Sequence, residues 1–194
     1  MGSPRTPDFT GLLARLTRTL EDGGIPFMLI GGQAVLLHGE PRLTQDIDVT
    51  LGVGPGRLDE VLVLCPKMGL TPLPEDVAAF VRGTFLLPAR DGSTGIRVDL
   101  IFSTTPYEGE AIAHAERVKV GGEDVPFATA EDLIIHKLFA ARPRDLEDAA
   151  GVVRRKGPEL DWAYLERWCE EFAGVPGREG MPALLDELRA EMAS

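Results

Sequence analysis

Asp46-Ile47-Asp48-Val49-Thr50-Leu51 sets two carboxylates two residues apart in an otherwise apolar run. Side chains of an extended strand alternate between faces, which predicts Ile47, Val49 and Leu51 on one side and Asp46 and Asp48 on the other. A second run, Arg97-Val98-Asp99-Leu100-Ile101-Phe102, repeats the pattern, with Asp99 opposite Val98 and Leu100. If the two strands are neighbours, three carboxylates converge. Unit charges about 4 Å apart repel by roughly 4 kcal/mol at an effective dielectric near 20, so such a cluster needs a cation. Hard oxygen ligands favour Mg²⁺, with Mn²⁺ as the alternative. On composition alone an i, i+2 aspartate pair reads better as a solvated polar face or a turn. The apolar residues on both sides, and the cost of burying Asp99 unpaired within Val-Asp-Leu-Ile-Phe, favour the metal site.

Upstream, Phe27-Met28-Leu29-Ile30 reads as a short buried strand that Gly31-Gly32 breaks, followed by a helix over Gln33–His38 that Gly39 stops. A strand that passes through two glycines into a helix presents free backbone N–H groups and a positive dipole end, which suits a phosphate. Without a Cβ, that phosphate can approach the backbone closely.

Gly31-Gly32, Arg42-x-Thr44-x-Asp46-x-Asp48 and Val98-Asp99-Leu100 together resemble the DNA polymerase β superfamily of nucleotidyltransferases. The run Glu131-Asp132-Leu133, Lys137 and Arg142-x-x-Asp145-x-x-Asp148 is similar to the helical motif of its AbiE-type and MenAT-type toxin branch. The motifs span about residues 26 to 150. Many superfamily members carry Gly-Ser where this chain has Gly31-Gly32, so nucleotide grip would rest on backbone amides and other side chains.

The resemblance implies an α/β (α+β) fold, a mixed-sheet nucleotidyltransferase core over residues 1–128 with a helical C-terminal region, 129–194, packed on it. It implies an enzyme that moves a nucleoside monophosphate from an NTP, ATP among them, to an acceptor. Asp46, Asp48 and Asp99 would hold Mg²⁺ or Mn²⁺ and form the catalytic set together with Lys137. Gly31, Gly32, Arg42, Thr44, Lys137 and Asp148 would bind the nucleotide. Read from composition alone, Lys137 is a snorkelling lysine, Arg142, Asp145 and Asp148 form a salt-bridge set on a helix surface, and Arg42 and Thr44, just before the metal strand, either touch phosphate or only shape the loop. The acceptor implied is tRNA, for a toxin of a toxin–antitoxin system with a cognate antitoxin as partner. An aminoglycoside or lincosamide antibiotic is the alternative acceptor, and a catalytically silent binding or antitoxin module is the rival of a different class.

The 194 residues, 44% hydrophobic and 26% charged, have the composition of a soluble globular protein. No apolar run approaches the roughly 20 residues that span a bilayer. Met1-Gly2-Ser3-Pro4-Arg5-Thr6 lacks the apolar stretch of a secretory signal, and Cys65 and Cys169 read as two reduced buried thiols, so a cytoplasmic protein is expected. A net charge of −11 makes the chain a poor non-specific binder of nucleic acid. An RNA acceptor would need a local basic patch, for which Arg142, Arg144, Arg154, Arg155 and Lys156 are the candidates.

Helices are expected around Phe9–Leu20, Leu58–Met68, Asp76–Val81 and from Thr129 onward, with one opening near Pro143 and others around Trp162–Trp168 and Leu184–Leu188. A strand is expected at Thr84–Leu87, and hairpins around Asp91-Gly92-Ser93 and Gly121-Gly122. Gly52-Val53-Gly54-Pro55-Gly56 lacks the dinucleotide spacing and reads as a mobile connecting loop. His38, His114 and His136 lack ligand spacing, and Tyr107, Trp162 and Trp168 are expected in the core.

Overall fold

The computed structural model describes residues 8–191. The polar segment at residues 1–6 lies outside them. The chain divides into two compact units: the chain up to Ile30 with Thr44–Phe127, and Gly31–Leu43 with the chain from Ala128 onward.

The first unit opens with α1 (Phe9–Asp22), whose N-cap Asp8 accepts from the Gly11 amide at 2.8 Å. Then come β1 (Phe27–Ile30), and, after the chain has passed through α2 (Gly31–His38) of the second unit, β2 (Asp46–Leu51). The unit continues with α3 (Leu58–Met68), β3 (Leu70–Pro72), α4 (Val77–Thr84), β4 (Leu86–Asp91), β5 (Arg97–Phe102), α5 (Pro106–Ala113), β6 (Glu116–Val120) and β7 (Glu123–Phe127). The strands form one mixed sheet in the order β3-β4-β5-β2-β1-β7-β6. The pairs β2–β5 and β1–β7 are parallel, and the other neighbours are antiparallel. This is the mixed-sheet core expected of a nucleotidyltransferase, with helices packed against it: α1 rests on β7 and α3.

The core follows from the alternation in the strands. Ile47, Val49, Leu51, Val98, Leu100 and Phe102 are all essentially inaccessible to solvent. Gly69 ends α3 at φ +73°, a left-handed conformation that glycine adopts without steric cost. The Gly52–Gly56 segment is not a mobile loop. The Gly52 amide donates to the Pro26 carbonyl at 2.6 Å, the Ser103 amide donates to the Val53 carbonyl at 3.1 Å, and Pro55–Arg57 forms a 3₁₀ turn. Cys65 is buried, and burial raises its thiol pKa to about 11.

The second unit is helical: α2, then α6 (Ala130–Ala140), α7 (Pro143–Lys156), α8 (Trp162–Ala173) and α9 (Met181–Glu191). Thr129 caps α6 by accepting from the Asp132 amide at 3.1 Å, and Pro143 occupies the first turn of α7, where its missing N–H costs nothing. Tyr107 is core, as expected, but Trp162 and Trp168 are only half-buried; Arg189 lies 4.8 Å from the ring centre of Trp162 and Arg167 4.8 Å from that of Trp168. Cys169 is buried, and its thiol is pushed up to about 12 by burial and then by Glu170. No described helix is long and apolar enough to cross a membrane.

Candidate active site

The first unit contains the three predicted carboxylates. β2 and β5 run parallel in a register that pairs Asp46 with Arg97 and Asp48 with Asp99. Paired residues on adjacent strands point to the same face, and the strands are about 4.8 Å apart. Asp46, Asp48 and Asp99 therefore share one face, each half-buried, while their apolar neighbours fill the other.

Polar neighbours hold two of these acids, Asp46 and Asp99. The Thr44 hydroxyl donates to Asp46 Oδ1 at 3.1 Å, so Thr44 touches the carboxylate itself. Arg97 Nε donates to Asp99 Oδ1 at 2.8 Å. The hydrogen bond to Asp99 raises the Arg97 pKa above its ordinary value, and the charges of Asp99, Asp46 and Asp48 add to it. The sequence reading assigned Arg97 no role, although its position two residues before Asp99 puts it on the acid face by the same alternation.

Among the described residues, no three His, Cys, Asp or Glu side chains are gathered into an ion-binding group. The strands bring the three acids onto one face and into register without drawing their oxygens together. The donor set still fits a hard divalent ion. All donors are carboxylate oxygens, they are half-open to solvent, and a positive group, Arg97, already sits among them.

The second unit contains the other predicted residues. Gly31 and Gly32 are themselves the first turn of α2, which therefore starts two residues before the expected Gln33. Gly31 has φ +62°, so the sharp exit from β1 requires glycine here. The first-turn amides of a helix have no partner within the helix, which leaves them available to an anion. His38, fully buried, places Nε2 2.8 Å from the Ala128 carbonyl, a packing role.

Lys137 does not snorkel into water. It is buried on α6 with Nζ 2.8 Å from both Asp145 Oδ1 and Asp148 Oδ2. Arg42 completes the cluster with a bidentate pair, Nε to Asp148 Oδ1 at 2.8 Å and Nη2 to Asp148 Oδ2 at 2.9 Å. Burial opposes ionisation of Asp148, but the hydrogen bonds from Arg42 and Lys137 outweigh it and hold its pKa below the ordinary carboxylate value. Asp145 and Asp148 are thus not a helix-surface set with Arg142. They are buried, while Arg142 is the exposed N-cap residue of α7. Two cations and two anions balance here, and Asp145 Oδ2 remains buried without a hydrogen-bond partner.

The basic residues of α7 stand at its two ends. Arg142 and Arg144 are exposed at the start. At the other end Arg154 pairs with Glu40 at 2.8 Å, and Arg155 donates to the Gly39 carbonyl. The expected patch is thus partly engaged by its own unit.

A family model described as "Nucleotidyl transferase AbiEii toxin, Type IV TA system" matches residues 12–193. Among solved structures the chain resembles an antigenic nucleotidyltransferase-like protein from Paracoccidioides brasiliensis, at TM-score 0.58 and 17% identity, over 95% of this chain and 89% of that one. It also resembles the lincosamide antibiotic adenylyltransferase LnuA, at TM-score 0.53 and 13% identity, over 76% of this chain and 98% of that one. At such identities the likeness is one of fold. No curated protein matches the chain.

Proposed function

The chain belongs to the nucleotidyl transferase AbiEii toxin family of type IV toxin–antitoxin systems, and from that premise we propose that it transfers a nucleoside monophosphate from an NTP to a tRNA. The observation that carries the chemistry is the register of Asp48 with Asp99, with Asp46 on the same face. A divalent ion, Mg²⁺ or Mn²⁺, held by Asp46, Asp48 and Asp99 would offset the charge of the triphosphate and of the departing pyrophosphate.

In the proposed reaction an acceptor hydroxyl oxygen attacks the α-phosphorus of the NTP. A new P–O bond forms, the bond from the α-phosphorus to the β-phosphate's bridging oxygen breaks, and pyrophosphate leaves. Asp99, on the flank of β2 away from β1, is assigned to the acceptor and takes the hydroxyl proton. Thr44 orients Asp46 through its hydroxyl. We assign the triphosphate to the Gly31 and Gly32 amides with Arg42 and Lys137, and Asp148 to holding those two cations in place. Such chemistry asks the protein for position and charge more than for covalent steps.

The test is incubation with each α-labelled NTP and Mg²⁺, first with total tRNA and then with aminoglycosides and lincosamides. Label in tRNA is expected. Label only in a small molecule would replace the acceptor, and label in nothing, with no thermal shift by any NTP, would favour a silent binding module.

A further inference from the structure

A groove of about 650 Å³ opens in the first unit, lined by Leu73, Ala79, Phe80, Pro88 and Arg97 among others. Its volume is in the range of roughly 300–1,000 Å³ that pockets for small organic groups occupy. Two observations join it to the acids. Pro88 is the register partner of Asp99 on the antiparallel β4–β5 pair, so both stand on the same face of the sheet, one strand apart. Arg97, which lines the groove, is the residue that hydrogen-bonds Asp99. A third observation concerns α4, of which only Val81 is fully buried. Phe80 and Leu73, both in the groove lining, remain 38% and 42% exposed, an aromatic and an aliphatic side chain left to water.

We propose that this groove is a stacking subsite for the unpaired base at the reacting end of the RNA acceptor, with Phe80 as its platform. The inference rests on the nucleotidyl-transfer reading above. Strand order selects the acceptor over the NTP as occupant. The groove flanks β4 and β5, beside Asp99, whereas β1, whose last residue Ile30 leads to the Gly31 amide, lies beyond β5 and β2. Charge argues against a phosphate as the occupant. The groove is also lined by Glu75 and Asp76, which repel an anion, and the latter is held by its cap to the Ala79 amide at 2.9 Å. Every nucleobase has a π-face that an exposed phenylalanine can cover, and such stacking tolerates any sequence. Arg97, the basic residue among those that line the groove, is paired with Asp99 and so ties the groove to the acid face.

The test uses the full chain in EDTA, without NTP. Phe80→Trp places a fluorophore in the groove, read as the difference from the parent so that Trp162 and Trp168 cancel. A short single-stranded RNA should quench it, whereas the same RNA with an abasic 3′ end, ATP or an aminoglycoside should not. Phe80→Ala should lower RNA affinity about 5- to 150-fold, the effect of losing one base–aromatic stack, while Phe80→Trp keeps it. Quenching by ATP or an aminoglycoside in place of RNA would overturn the assignment, as would equal RNA affinity for parent and Phe80→Ala. If the parent labels tRNA while both Phe80 variants behave as the parent, the subsite falls and the transfer reading stands. If the parent labels no RNA, both fall.

Discussion

Asp48 and Asp99 are direct register partners on parallel strands that are far apart in sequence, and Arg97, two residues before Asp99, donates to it at 2.8 Å. A guanidinium thus sits at the place proposed for a metal, which has consequences for ion binding before any chemistry begins.

Arg97→Ala should bind Mn²⁺ more tightly, since one positive competitor is gone. A unit charge at about 4 Å is worth roughly 1 kcal/mol at the dielectric of water, or about fivefold in affinity, and more at lower dielectric. Mn²⁺ titration followed by electron paramagnetic resonance measures it. The metal-free melting temperature should fall, because three carboxylates lose their shared cation. Unchanged or weaker Mn²⁺ binding would show that Arg97 does not compete for the site.

Lys137 is buried between Asp145 and Asp148, so Lys137→Met should unfold more easily than the parent by about 3–5 kcal/mol, the usual cost of leaving a buried charge unpaired. Adding Asp145→Asn should recover part of that loss, because one unpaired anion disappears. Denaturant titration of the parent, both single variants and the double variant gives the coupling. Strict additivity would contradict the cluster. NTP binding by the double variant, which keeps Arg42 paired with Asp148, then tests the proposed role of Lys137 apart from stability.

Acid should act on Asp91. It is buried, and burial opposes its ionisation, but Ser93, Thr94 and Arg15 all donate to it and hold its pKa below the ordinary value. A depressed folded-state pKa contributes stability that is present above the unfolded value of about 3.9 and is lost as pH falls through the folded one. The melting temperature of the parent should therefore drop below about pH 4. Asp91→Asn should melt lower at pH 7 and lose less on acidification. An equal slope in both proteins would remove Asp91 from the account.

Much of this arrangement was legible from alternation alone. The spans 27–30, 46–51 and 97–102 announced themselves as strands, and the facing of Asp46, Asp48 and Asp99 followed from a period of two. Their adjacency was not legible, because strand order depends on long-range packing. β3, three residues long, is too short to show any period. α5 was missed despite a signal in the sequence: Thr105-Pro106-Tyr107-Glu108 is a capping box with proline in the first turn, and both of its hydrogen bonds form. Lys137 and Asp148 were singled out by the motif, but composition alone read Lys137, Asp145 and Asp148 as solvent-facing charges. That they pair with one another in a buried cluster, and that Arg42 joins it from a segment about a hundred residues away, depends on tertiary packing. The groove at Phe80 escaped reading because one exposed aromatic on a short helix has no pattern to detect.

The most direct measurement of the central claim is NTP turnover by Asp48→Asn, read beside its Mn²⁺ affinity and metal-free melting temperature. Asparagine keeps the size of aspartate and one carbonyl oxygen but removes the charge that offsets a divalent ion. Turnover and metal affinity should both collapse. The metal-free protein should melt at or above the parental temperature, because three mutually repelling carboxylates become two. An Asp48→Asn protein that melts normally and still transfers nucleotide at the parental rate would contradict the account.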